Sequence, residues 1–150
     1  MSVVFISGHR NATKEEFDEH YKDQIYEAVL EGHSFVVGDC DGIDKMAQRY
    51  LAVLDLDYDL PSKVTVYHIG HRPMNFRSMN FNLKGKYLSD VDRDFAMTLF
   101  SDVDLAWVRE GSERSGTAQN LFRRTLKADG IVDIQEVMTI ENLMEIYLEK

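Results

Sequence analysis

Ser34-Phe35-Val36-Val37-Gly38-Asp39-Cys40-Asp41-Gly42-Ile43-Asp44-Lys45-Met46-Ala47 decides how the chain is read. Four residues of aromatic and β-branched character lead into a polar loop holding two glycines, and the loop leads into a periodic segment. The apolar run has no polar alternation, so both faces of this strand expect burial, as in a parallel sheet. After the loop, Ile43, Met46, Ala47, Tyr50, Leu51 and Leu54 fall on one side of a helix from about 43 to 54. Strand, glycine loop and helix in that order make half of a βαβ unit.

The same pattern repeats on either side. Val3-Val4-Phe5-Ile6 is a buried-strand run broken by Ser7-Gly8-His9-Arg10, and Thr13-x-x-Glu16 is a capping box opening a helix from about 13 to 31 that Gly32 closes. Downstream, Asp55 to Pro61 reads as an acidic connection. Val64 to Ile69 is a third strand ending in Gly70-His71-Arg72-Pro73. Residues 73–89 carry no clean period, and 90–101 look helical. Val103 to Val108 is a fourth strand with the sole tryptophan, Trp107. The polar loop Arg109 to Ser115 leads into a helix from Gly116 to about Ala128. Ile131 to Ile134 suggest a last strand, and Ile140, Leu143, Met144 and Tyr147 stripe a C-terminal helix. Alternation throughout predicts an α/β fold: one Rossmann-like domain over residues 1–150, an open, mostly parallel sheet flanked by helices on both faces. Two prolines and no Ser/Gly-rich linker agree with a single domain.

Composition narrows the function. The net charge of −9 argues against a long polyanion or an anionic membrane as partner, so nucleic acid is disfavoured. The charge is uneven, however. Residues 1–60 carry five basic and 13 acidic side chains, residues 61–128 carry 11 and seven, and residues 129–150 carry one and six. An anionic ligand is therefore sought near the middle of the chain. One cysteine, Cys40, forbids an internal disulfide, and neither a signal peptide nor a membrane span is evident, which together suggest the cytoplasm.

In open α/β sheets ligands bind outside the carboxyl ends of the strands. Four loops fall there: Ser7 to Arg10, Gly38 to Asp44, Gly70 to Arg72 and Arg109 to Thr117. The Gly38–Asp44 loop and Ser115-Gly116-Thr117 both run into helix N-termini, which attract phosphate or carboxylate. Each alone reads slightly better as a strand-to-helix turn capped by Asp44 or Ser115, but the two together on one sheet edge favour a ligand. The echoing triplets Gly8-His9-Arg10 and Gly70-His71-Arg72 would bring two imidazoles and two guanidiniums to one crevice if their strands are neighbours. Asp39, Asp41 and Asp44 permit a metal without demanding one; no protein-bound metal and no cofactor is expected. Cys40 between two aspartates is a poor nucleophile. Trp107 and Met97 read as core, and His20 and His33 as surface or helix-end residues. Phe76, Arg77, Phe81, Lys84, Lys86 and Tyr87 mix rings and cations; in an acidic protein a lid or an oligomer contact fits this stretch better than a grip on nucleic acid.

Gly38-Asp39-Cys40-Asp41-Gly42-Ile43-Asp44-Lys45-Met46-Ala47 resembles the G-G-x-x-G-x-D-x-x-A stretch of the SLOG superfamily, the nucleotide-binding Rossmann-like group that includes DprA and the LOG phosphoribohydrolases. Asp92-Arg93-Asp94-Phe95-Ala96-Met97 is similar to the R-[ND]-x-x-M segment of its YspA-like branch, and Ser115-Gly116-Thr117 followed by Arg123-Arg124 to that branch's G-x-G-T-x-x-x-x-R-R. The resemblance covers residues 3–128 and implies a nucleotide-related ligand and a homo-oligomer. Gly8 and Arg10 would floor the site, Gly38, Asp39, Gly42 and Asp44 would shape a phosphate or ribose loop, and Ser115, Gly116 and Thr117 would hold phosphate. Arg93 and Asp94 would stand at the rim. LOG enzymes place a catalytic glutamate where this chain has Asn120, which cannot titrate or act as a carboxylate nucleophile. Glu113 could replace it only if its loop folds inward.

The leading expectation is therefore binding of a nucleotide or nucleotide-derived small molecule, as a sensor or sequestering protein. A second is cleavage or transfer at an N-glycosidic bond of nucleoside monophosphates with Asp39, Asp94 or Glu113 as the carboxylate. A third is a nucleic-acid interaction module working through residues 73–89.

Overall fold

The structure is a computed structural model, which describes residues 1–60 and 63–130; the expected last strand and C-terminal helix lie outside these residues. Five strands, β1 (Val3–Ser7), β2 (Ser34–Val37), β3 (Val64–Ile69), β4 (Asn82–Tyr87) and β5 (Val103–Ala106), form one sheet in the order β4-β3-β2-β1-β5. Every pairing is parallel. The helices are α1 (Lys14–Phe17), α2 (Asp23–Leu30), α3 (Ile43–Tyr58), α4 (Asp90–Leu99) and α5 (Gly116–Ala128). This is an α/β, Rossmann-like single-sheet architecture.

Strand alternation divides the core into two layers. Val4 and Ile6 of β1 join Val37, Val64 and Val66 under Tyr21, Ile25, Ile43, Ala47 and Leu51 of the first helices. Phe5, between them in sequence, faces the other way, with Val36 and Tyr67, onto Ala96 and Met97 of α4. Ile6, Ile43, Leu51 and Val64 have no exposed surface, and burying each contributes about 1.5–3 kcal/mol.

The first helical run differs from a plain α-helix. Thr13 and Glu16 form the expected reciprocal capping box, but Asp18–Lys22 is a π-helical turn joining α1 to α2. Tyr21 lies in that turn with no exposed surface. Its hydroxyl donates to the Ser7 carbonyl at 2.7 Å and accepts the Trp107 backbone N–H at 2.9 Å, bridging the ends of β1 and β5. Helix α3 runs to Tyr58, so residues 55–58, with Asp55 and Asp57, extend it rather than serving as a connection.

Residues 73–89, read as aperiodic, contain β4. It is the edge strand beside β3, and residues 70–81 cross over to it without a helix. The crossover is fastened to α3: fully buried Gln48 donates to the carbonyls of Gly38 and Asn75 and accepts the Arg77 N–H, each at 3.0 Å. Phe81 is buried in the core and Phe76 packs against it, so neither ring is an open platform. No helix among the described residues is long and apolar enough to cross a membrane.

Candidate functional site

The chain leaves β1 toward β2, β3 and β4, then returns to β5 on the other side of β1. The carboxyl ends of β1 and β5 are thus a topological switch point, where open α/β sheets form a crevice. A crevice of about 370 Å³ opens there, with Phe5 as part of its floor. Ser7, Gly8, His9 and Arg10 line it from β1 and its loop, Cys40 and Asp44 from the loop after β2, and Asp90, Arg93, Asp94 and Met97 from α4. Ser115, Gly116, Thr117, Gln119, Asn120 and Arg123 come from α5 and its start. Gly42 shapes the site indirectly: its φ is +74°, and a Cβ there would stand 2.2 Å from the His9 carbonyl oxygen. Only glycine lets this loop cross the first so closely.

The crevice charges are largely paired. Arg93, 3 % exposed, reaches Asp39 at 3.0 Å, Asp94 at 3.0 Å and Asp90 at 3.2 Å. Burial opposes its charge, but the surrounding carboxylates outweigh that and hold the guanidinium protonated. Arg10 is paired with Asp90 at 2.7 Å. Asp94 also accepts from Asn120 at 3.3 Å, and Asn120 accepts from Arg123 at 2.6 Å. Burial raises the Asp94 carboxyl and lowers Arg123, whose Nε lacks a hydrogen-bond partner among the described residues. The buried Asp44 is pushed up to about 7 by desolvation, against the pull of Arg93 and the Cys40 N–H. The buried Cys40 thiol is pushed up to about 11, first by burial and then by Asp44.

Several expected residues stand elsewhere. Gly38 and Asp39 lie behind the crevice wall. Asp39 joins two places, accepting Arg93 on one oxygen and the Met74 N–H at 2.7 Å on the other. His71 and Arg72 do not join His9 and Arg10, because β2 separates β3 from β1; two strand spacings of about 4.8 Å hold the two triplets apart. Glu113 is exposed and accepts from the Gly111 N–H in its own loop, so it does not fold inward to replace a carboxylate at Asn120. His20 is not a simple surface residue; its ring stacks on Trp107 at 4.0 Å and 8°.

A second region gathers cations that have no carboxylate partner among the described residues. From Lys63 to Ser89 the sequence has five basic residues and no acidic one. Arg72, Arg77, Lys84 and Lys86 are exposed on the crossover and on β4, and none has a carboxylate within 4.0 Å among the described residues. Lys84 Nζ lies 4.0 Å from the Phe100 ring centre, and that ring is 57 % exposed. Met74 and Met79 are also exposed on the crossover. Phe100 was not singled out from sequence; it follows a helix at an ordinary core spacing, and only the fold puts it beside Lys84. Gln48 and Asn75, which fasten the crossover, were likewise missed. A glutamine between Ala47 and Leu51 on an apolar helix face was the available signal.

The fold and crevice define an open parallel α/β protein with a polar site at its switch point and a basic sheet edge beside it. One solved structure that shares this fold is DNA processing protein A from Helicobacter pylori, described for its single-stranded DNA binding mode. The TM-score is 0.55 at 16 % identity, with 98 % of this chain and 80 % of that one covered. No family model matches the chain, and no curated protein does. The neighbour corrects the expectation about partners: that protein binds single-stranded DNA, so the disfavouring of nucleic acid does not stand, and the small-molecule partner gains no support. The error lay in using net charge. All 26 acidic residues lie outside the 63–89 segment of sequence.

Proposed function

We propose that this protein binds single-stranded nucleic acid, with DNA as the leading candidate, along the basic edge formed by residues 70–87. The carrying observation is the run of five cations without a carboxylate from Lys63 to Ser89, four of them exposed around the crossover and edge strand. Arg and Lys at such a surface neutralise phosphates and release counterions. Phe100, Met74 and Met79 supply apolar surface against which bases can rest. The binding of single-stranded DNA by a structural neighbour supports this reading. The three sequence motifs suggest the SLOG superfamily and its YspA-like branch, and the shared fold with a DNA-processing protein is compatible with that placement.

Fluorescence anisotropy with labelled oligo(dT) across a salt series tests the reading. Binding should weaken linearly on a log–log plot, and Arg77→Ala with Lys84→Ala should make the slope shallower by about 0.7 per lost contact. Absence of binding at low salt to both oligo(dT) and a mixed-sequence strand overturns it.

A further inference from the structure

Strand β4 carries a β-bulge. Tyr67 pairs with Lys84 and Ile69 with Tyr87, so β3 advances two residues while β4 advances three. The extra residue brings Tyr87 to the α4 face of the sheet, stacked on Tyr67 at 5.8 Å and 17°. It also leaves Lys86 at a φ of +68°, one of two non-glycine residues with positive φ among the described residues. The bulge is clamped: Lys86 N–H donates to the Gly70 carbonyl at 2.7 Å, and Gly70 N–H to the Tyr87 carbonyl at 3.0 Å.

The stacking of Tyr87 accounts for the bulge but not for a lysine within it. The left-handed position suits glycine, and a glycine stands one residue too early. Gly85 serves a different need, since a Cβ there would lie 2.1 Å from His68 Cε1. Position 86 therefore holds a strained residue where an unstrained one is available, and the residue it holds is an exposed cation on the basic edge. Strain of this kind collects at functional positions.

We infer that Lys86 is a phosphate-contacting residue of the nucleic-acid surface, kept in a left-handed backbone position for its ammonium group. This rests on the reading of that edge as a nucleic-acid surface. A lysine on an edge strand also keeps further strands from adding to the sheet, which is the rival explanation.

Lys86→Gly, Lys86→Asn and Lys86→Arg separate the two by thermal melting and by oligo(dT) anisotropy in a salt series. Gly and Asn relieve the strain and remove the charge, so both should melt at or above the wild-type temperature while binding more weakly, with the salt slope shallower by about 0.7. Lys86→Arg should bind as the wild type does. Wild-type binding with unchanged affinity and slope in the Gly and Asn variants overturns the inference, and added aggregation in that case points to edge protection. A lower melting temperature for Lys86→Gly overturns the strain argument. Failure of the wild-type protein itself to bind would instead remove the surface reading.

Discussion

The crevice between α4 and α5 and the edge around β4 hold similar side chains in opposite electrostatic states. In the crevice, Arg93 faces three carboxylates within 3.2 Å and Arg10 is matched by Asp90. At the edge, Arg72, Arg77, Lys84 and Lys86 face solvent. A cation whose field is already cancelled by a neighbour offers little to a ligand, so counting arginines does not locate an anion site; counting unmatched ones does. The two regions are also joined, since Asp39 takes Arg93 on one oxygen and the Met74 amide of the crossover on the other.

The comparison breaks most severely at Arg93. Arg93→Met removes the cation and strands Asp39 and Asp94 in a buried setting, and should destabilise the protein by about 3–5 kcal/mol in urea denaturation. An effect below about 1 kcal/mol would mean that the crevice charges are not a coupled network.

The pH dependence of stability comes next. The Asp44 carboxyl sits at about 7 against an ordinary 3.8 because it is buried. Its folded-state value is raised, so the native state holds a proton that the unfolded chain has released. The associated stability is complete below about pH 4 and is lost as the pH rises through about 7; burial of Asp94 acts in the same direction. Asp44→Asn keeps a neutral group in place and should flatten the fall in stability between about pH 4 and 7. Urea titrations at several pH values check this, and parallel profiles for the two proteins would contradict it.

At the edge, the combined Arg77→Ala and Lys84→Ala substitutions should weaken oligo(dT) binding while costing about 1–2 kcal/mol of stability, because neither cation sits in an ion pair and each loses one other contact, Arg77 to Asn75 Oδ1 and Lys84 to the Phe100 ring. The same two measurements on Arg93→Met would give the reverse order of sensitivity if the contrast holds. The smallest effect belongs to Arg10→Ala. Its pair with Asp90 is half-exposed at the crevice mouth, 60 % and 48 % by side chain, and its loss should cost about 0–1 kcal/mol.

The central strands were legible because burial on both faces writes an unbroken apolar run, as in Phe35-Val36-Val37 and Val3-Val4-Phe5-Ile6. The loops were legible because strand-to-helix turns need glycine and caps. Strand β4 was not: Asn82-Leu83-Lys84-Gly85-Lys86-Tyr87 is an edge, with a glycine and two lysines, and it is a strand through its pairing with β3 rather than through local preference. The crevice loops were found by their polar residues, but which of them meet depended on strand order. His71 and Arg72 were set apart from His9 and Arg10 by a strand that no local pattern could place between them. Arg93 and Asp94 were found by resemblance alone; the bond from Arg93 to Asp39 is a contact across 54 residues of sequence.

The Tyr21 oxygen gives the molecule a built-in gauge of motion. Because it holds the Ser7 carbonyl and the Trp107 amide at once, the ends of β1 and β5 can part only when one of those bonds breaks. Each opening that breaks the second of these bonds frees the amide proton of the sole tryptophan for exchange with solvent. The exchange rate of that proton, alongside the emission of the same residue, times the breathing of the switch point without any label added to the chain.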